Sequence, residues 1–185
     1  MPPQAPNPLS DIDVLIPAHD IHARVKGIAQ NIAADFKNDL MIIPLLRGSF
    51  VFAADLLRAL HYEGLQPQLD FMTLASYGRG TTSSGQVQLV KDIVESVEGR
   101  DVLIVDDILE SGRTLTFARD LIKSRGARSV KIAVLLEKPG KRKVPIEAEY
   151  VGFVVQDKFV VGYGLDYANF YRELPFIGVI PSAVA

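Results

Sequence analysis

The chain of 185 residues has no cysteine and no tryptophan. Without a thiol there is no disulfide, no thiolate zinc site and no cysteine nucleophile. An excess of charge of one sign is lacking too. Twenty basic residues against 22 acidic ones leave a formal net charge of -2, so no overall positive field draws the molecule to nucleic acid or to an anionic membrane. Any anion it binds must be held locally. Long apolar runs are missing as well: the longest stretch without a charged residue, Leu174 to Ala185, has 12 residues, too few to cross a bilayer as a helix. The N-terminal MPPQAPNPLSD has no basic start followed by an apolar core, and a cytoplasmic location is the expectation. What is present is a balance of 48% hydrophobic and 23% charged residues, which excludes a disordered chain and suits a globular protein with one core.

Four prolines in the first ten residues, with no periodic apolar pattern, mark residues 1–13 as an N-terminal arm. A single domain is expected over 14–185. From Asp20, taken as N-cap, Ile21, Val25, Ile28, Ala29, Ile32, Ala33 and Phe36 recur at helical spacing. Leu40 to Leu46 is a continuous apolar run, as in a strand buried on both faces, and Phe50 to Leu60 returns to helical spacing. Gln68 to Ala75 reads as one strand and Gln86 to Lys91 as its exposed hairpin partner. Between them SYGRGTTSSG (76–85), with three glycines and six hydroxyl side chains, reads as a mobile loop. Val102 to Val105 is a buried strand, followed by a loop from Asp106 and a helix that ends near Arg125 before Gly126. Ser129 to Glu137 and Tyr150 to Val155 are further strands. This alternation predicts an α/β fold, a central mainly parallel sheet flanked by helices.

In such sheets ligands bind beyond the carboxyl ends of the strands, and VLIVDDILESGRT ends a strand there. Asp106 and Asp107 suit a hydrated divalent cation or sugar hydroxyls. Ser111, Gly112 and Thr114 supply hydroxyls and backbone N–H groups where a helix begins, a favourable place for phosphate. Glu110 stands between the two sets. The same residues also describe a solvated Asp-Asp turn and a capped helix. No Walker A motif or dinucleotide glycine fingerprint occurs.

Val102 to Leu115 resembles the ribose-binding signature of the type I phosphoribosyltransferases. LLRGSFVFAADL (45–56), SYG (76–78), LLEKP (135–139), DKFVVGYGLDY (157–167) and Arg172 narrow the resemblance to the 6-oxopurine branch, the hypoxanthine and hypoxanthine-guanine enzymes. The resemblance implies the type I phosphoribosyltransferase fold, with a small hood built from the terminal segments. It also implies purine salvage: the 5-phosphoribosyl group passes from 5-phosphoribosyl 1-pyrophosphate (PRPP) to a purine base, with Mg2+ as cofactor.

Residue by residue, Asp106 and Asp107 match the carboxylates that hold the ribose hydroxyls, partly through the metal. Ser111, Gly112, Arg113 and Thr114 match the 5′-phosphate cradle. Glu110 matches the acid/base on the purine ring nitrogen, where the family usually has Asp, one methylene shorter. Lys138 matches the donor to the 6-oxo group, which would exclude adenine. Phe159 matches the ring that stacks on the purine, Val160 the backbone on the base edge, and Ile108 a purine-facing position. Asp166 matches the second metal carboxylate and Arg172 a pyrophosphate contact. Leu46, Arg47 and Gly48 match the pyrophosphate loop, which in the family contains a non-proline cis peptide and usually Lys where Arg47 stands. Ser76 and Tyr77 match the start of a lid. Arg142 and Lys143 read as members of a solvated basic turn, and His19, His22 and His61 as surface or structural residues.

The implied partners are PRPP and a 6-oxopurine, with no nucleic acid and no membrane, and the family implies a homodimer or homotetramer. Two other readings stand beside it: a xanthine-preferring enzyme of the same fold, and a PRPP-sensing regulator that binds nucleic acid. The net charge and the purine-pocket matches count against the regulator.

Overall fold

The computed structural model describes residues 12–37, 39–76 and 87–180. Strand β1 (Asp13–Ile16) is followed by helix α1 (Ala18–Asp35), strand β2 (Leu40–Leu46) and helix α2 (Phe50–Tyr62). Then come strands β3 (Gln68–Leu69), β4 (Met72–Ser76), β5 (Val87–Lys91) and β6 (Asp101–Leu109), and helix α3 (Arg113–Ser124). Strands β7 (Ser129–Glu137), β8 (Tyr150–Val154), β9 (Val160–Val161) and β10 (Ile177–Val179) complete the order. The main sheet runs β5-β4-β2-β6-β7-β8, with β3 also paired to β2. Among the described residues of this sheet only the β4–β5 pair is antiparallel, which is the mainly parallel arrangement expected. A second, antiparallel sheet of order β1-β10-β9 joins the two ends of the described chain and forms the hood.

Alternation along the central strands sorts the core onto two faces. Leu40 and Ile42 of β2 and Leu103 and Val105 of β6 pack with α1 and α2. Met41, Ile43, Val102 and Ile104 pack with Leu115, Ala118 and Ile122 of α3. Phe52, Leu56 and Leu60 of α2 are fully buried, each such side chain worth about 1.5–3 kcal/mol of transfer free energy.

Two expectations about elements need correction. Helix α1 starts before Asp20: the Pro17 carbonyl already accepts from the Asp20 and Ile21 N–H groups, leaving Asp20 in the first turn, where its charge suits the helix dipole. The strand read over 68–75 is broken at Asp70–Phe71. Met41 and Ile42 pair with β3, Leu45 and Leu46 with β4, and the gap lies beside Ile43 and Pro44. Pro44 has no N–H to offer a neighbour. Asp70 holds the break by accepting from the N–H groups of Phe71 (2.7 Å), Val94 (2.6 Å) and Glu95 (2.9 Å).

Candidate active site

Strands β2 and β6 lie side by side, with Pro44 opposite Val105, so their carboxyl ends open at one place. Asp106 and Asp107, expected in a loop, belong to β6 itself. The strand persists because β7 keeps offering partners, Val134 beside Asp106, Leu136 beside Ile108 and Glu137 beside Leu109. Ladder pairing outweighs the low strand propensity of Asp. The turn of Glu110 to Gly112 follows, and Gly112, at φ 79, is the N-cap of α3. A side chain on Gly112 would overlap Ile146 and Val144, which leaves a bare backbone where the helix starts.

The two carboxylates are electrostatically unusual. Burial pushes the Asp106 carboxyl well above the ordinary aspartate range, and the neighbouring charge of Asp107 adds to it. Asp107 is pushed up by burial too, opposed by its hydrogen bonds and by the positive charge of Arg172. A pair of carboxylates withheld from water is a donor set that an additional cation would stabilise.

The pyrophosphate-loop match lies against this pair. The Leu46–Arg47 peptide is cis. A Cβ on Gly48 would overlap the Asp107 carboxylate, and one on Gly164, at φ 101, would overlap the Gly48 carbonyl. Close backbone approach therefore packs residues 46–48 between β6 and the 162–166 turn. Ser49, fully buried, donates from Oγ to the Leu45 carbonyl at 2.6 Å and closes the turn.

Two cavities open here. One of about 270 Å³ is lined by Leu46, Arg47, Gly48, Asp106, Asp107, Glu110, Ser111, Gly112 and Thr114, among others. A second of about 410 Å³ is lined by Asp107, Ile108, Glu110, Lys138, Phe159, Val160 and Asp166, with Asp157, Lys158 and Leu165. They share Asp107, Ile108 and Glu110. Lys138 is buried, and its Nζ meets Glu110 Oε1 at 2.5 Å. Phe159, half exposed, stands edge-on to Tyr167 with 5.5 Å between ring centroids. Arg172 pairs with Asp166 at 2.6 Å and donates to the Gly164 carbonyl at 2.6 Å.

Not every matched residue joins the two cavities. Arg113 is the first residue of α3, and its N–H meets Ser111 Oγ at 3.4 Å. It also lines a different depression, with Val87, Phe117 and Val144. Ser76 ends β4, paired with Val87, while Tyr77 and the rest of the expected loop through 85 lie outside the described residues. His19, His22 and His61 are exposed, as expected.

One residue was missed. Arg142 is not solvated: its guanidinium donates to the carbonyls of Leu109 (2.9 Å), Glu110 (2.7 Å) and Ile146 (3.2 Å) and pairs with Glu137. Nothing in the run KPGKRK marks it, because two of its acceptors lie 32 and 33 residues away.

The profile of the phosphoribosyl transferase domain matches residues 15–168. The chain is 46% identical over 172 residues to the Bacillus subtilis protein named hypoxanthine-guanine phosphoribosyltransferase, covering 92% of this chain and 94% of that protein. It is 48% identical over 168 residues to the Listeria innocua protein named bifunctional protein TilS/HprT. That match covers 90% of this chain and 26% of the relative, so the chain spans about a quarter of the Listeria protein's length. The crystal structure of a hypoxanthine phosphoribosyltransferase from Staphylococcus aureus superposes with a TM-score of 0.89 at 42% identity, covering 95% of each chain. By sequence and by fold, the chain belongs to the phosphoribosyltransferase family, in the branch of the hypoxanthine and hypoxanthine-guanine phosphoribosyltransferases.

Proposed function

We propose that the chain transfers the 5-phosphoribosyl group of PRPP to hypoxanthine, and to guanine, giving the nucleoside monophosphate and pyrophosphate. One observation carries this reading: the cavity lined by Arg47, Gly48, Ser111 and Thr114 and the cavity lined by Lys138, Phe159 and Val160 share Asp107, Ile108 and Glu110. A bond between a sugar carbon in the first and a ring nitrogen in the second would form beside the Glu110 carboxylate.

The roles are those that the family resemblance implies, and the positions of the residues around the two cavities support them. Backbone N–H groups and hydroxyls of residues 111–114 hold the 5′-phosphate at the start of α3. Arg47 and Gly48 face the leaving pyrophosphate, with Arg172 behind Asp166. Asp106 and Asp107 are placed to bind the ribose hydroxyls, and their negative charge favours the positive centre that develops as pyrophosphate departs. Asp106 and Asp107 fit Mg2+, a hard cation bound through oxygen, whereas Asp166, the match to a second metal carboxylate, would have to share oxygens that already accept from Arg172 and from the Asn169 N–H. When bound, the metal neutralises charge on the departing pyrophosphate.

Lys138 donates from Nζ to the 6-oxo group of the base, and Glu110 takes the ring-nitrogen proton onto a carboxylate oxygen as the new bond forms. The two side chains also pair with each other, so both would face the base from one side of the cavity. Adenine would put an amino donor against the Lys138 donor. Phe159 and Val160 complete the base pocket. A homodimer or homotetramer is part of this reading, as the family resemblance implies.

The test is nucleotide formation from PRPP and Mg2+ with hypoxanthine, guanine, xanthine, adenine and uracil supplied separately. Turnover with hypoxanthine or guanine and none with adenine is the expected result. Turnover with xanthine alone would reassign the base. No turnover with any base, while PRPP still binds, would make a sensing role the better reading.

A further inference from the structure

We infer that Arg142 is a positioning residue for the turn between β6 and α3, setting the direction of the peptide groups that receive the substrate's phosphate. The inference rests on the reading of this cavity as the phosphoribosyl site. In a planar trans peptide the C=O and the following N–H point in opposite directions. Nη1 of Arg142 donates to the carbonyls of Leu109 and Glu110, and the Lys143 N–H donates to the Ser111 carbonyl at 2.9 Å. Three successive carbonyls are thereby drawn toward the 138–146 segment. The N–H groups of Glu110, Ser111 and Gly112 are turned the other way, toward the cavity those residues line.

The guanidinium is itself held. Nε donates to the Ile146 carbonyl, Nη2 pairs with Glu137 at the end of β7, and Ile146 packs over Gly112. The Lys138 N–H also donates to the Leu109 carbonyl, at 3.0 Å. The same clasp therefore ties the strand end that carries Glu110 to the residue that carries Lys138. A planar fork with donors in fixed directions can reach all four acceptors at once. A lysine ammonium at the end of a flexible stem cannot, although it keeps the charge beside Glu137.

Arg142→Lys separates positioning from charge. In this variant KM for PRPP is expected to rise about tenfold and kcat to fall about tenfold or more, because the cradle that orients the phosphoribosyl group is displaced. KM for hypoxanthine at saturating PRPP should stay within about threefold, as binding energy on the purine side is left in place. A merely structural role would lower the active fraction and leave both KM values alone. Amide exchange gives a readout free of turnover. The Lys138 and Lys143 N–H groups, which bond the turn, should exchange faster in the variant, while the β6–β7 ladder stays protected.

Parent-like PRPP kinetics with parent-like exchange at Lys138 and Lys143 would overturn the inference. So would an equal rise in both KM values accompanied by faster exchange throughout the β6–β7 ladder. If Arg142→Lys does not fold, Glu137→Gln replaces it: loosening the guanidinium's anchor should raise KM for PRPP severalfold, and an unchanged value overturns the inference. Should the unsubstituted chain form no nucleotide, the proposed function fails, and the exchange measurement still decides whether Arg142 holds the turn.

Discussion

Gly48 shows how little room the site leaves around a single residue. The atom that an added Cβ would meet is the far end of the Asp107 side chain, not backbone. Gly48→Ala is therefore expected to displace that carboxylate with only modest overpacking, about 1 kcal/mol, while kcat falls about 10–100-fold. Steady-state kinetics beside a thermal melt checks the split, and parent-like turnover would show that the position of Asp107 is immaterial. Gly164 differs, since its positive φ and the Gly48 carbonyl oppose any side chain, and Ala there strains the fold as well. That Asp106, Asp107, Glu110 and Thr114 line one cavity was legible because one short run holds them together. Lys138 and Phe159 were legible through their flanking motifs alone. Arg142 was not, because it acts on backbone groups far away in the chain.

Among the elements, the antiparallel edge ribbon depends on a few polar ties. Asp92, just after β5, accepts from Arg125 Nη1 at 2.7 Å and Nη2 at 2.5 Å. Arg125 caps α3, where a positive charge also suits the helix end. The pairing with Arg125 holds the Asp92 carboxyl below the ordinary range, despite some burial. A carboxyl lowered by folding stabilises above its unfolded-state pKa, and that contribution is lost as pH falls through the lower folded-state value. Asp92→Asn should accordingly cost about 1 kcal/mol or less at pH 7, since both side chains are part exposed. The difference from the parent should be smaller well below the ordinary aspartate value of about 3.9 than at pH 7. Urea unfolding of both proteins at the two pH values measures this, and a gap that persists in acid would mean that Asp92 acts through shape and not charge. The same scale shows where periodicity informs. Continuous apolar runs located β2, β6 and β7, and three- and four-residue spacing located the helices. Polar residues inside a strand, Asp106 and Asp107, and the break at Asp70 depended on what the neighbouring strand could donate or accept. Neither leaves a mark in the local pattern.

For the molecule as a whole, the alternation of strands and helices made the parallel sheet legible, but not the order β5-β4-β2-β6-β7-β8, which depends on where each crossover returns. That order sets β2 and β6 as neighbours and brings residues 46–48, 106–112 and 162–166 to one place, with the hood strand β9 supplying Val160. Segments from across the chain are thus held around two buried carboxylates whose charge is unfavourable alone. A ligand that supplies a compensating cation and bridges those segments binds the folded state only, and mass action then raises stability by RT ln(1 + [L]/Kd). At a concentration of PRPP with Mg2+ 100-fold above Kd the gain is about 2.7 kcal/mol, equivalent to a rise of about 5–10 °C in Tm for a chain of this size. PRPP without the metal should give a smaller rise, and Asp107→Asn should remove most of the difference between the two conditions. Thermal melts of the parent and the variant, each with and without Mg2+, provide the comparison. A parent Tm that stays fixed in the presence of PRPP and Mg2+ would mean that this junction is not where the phosphoribosyl ligand binds.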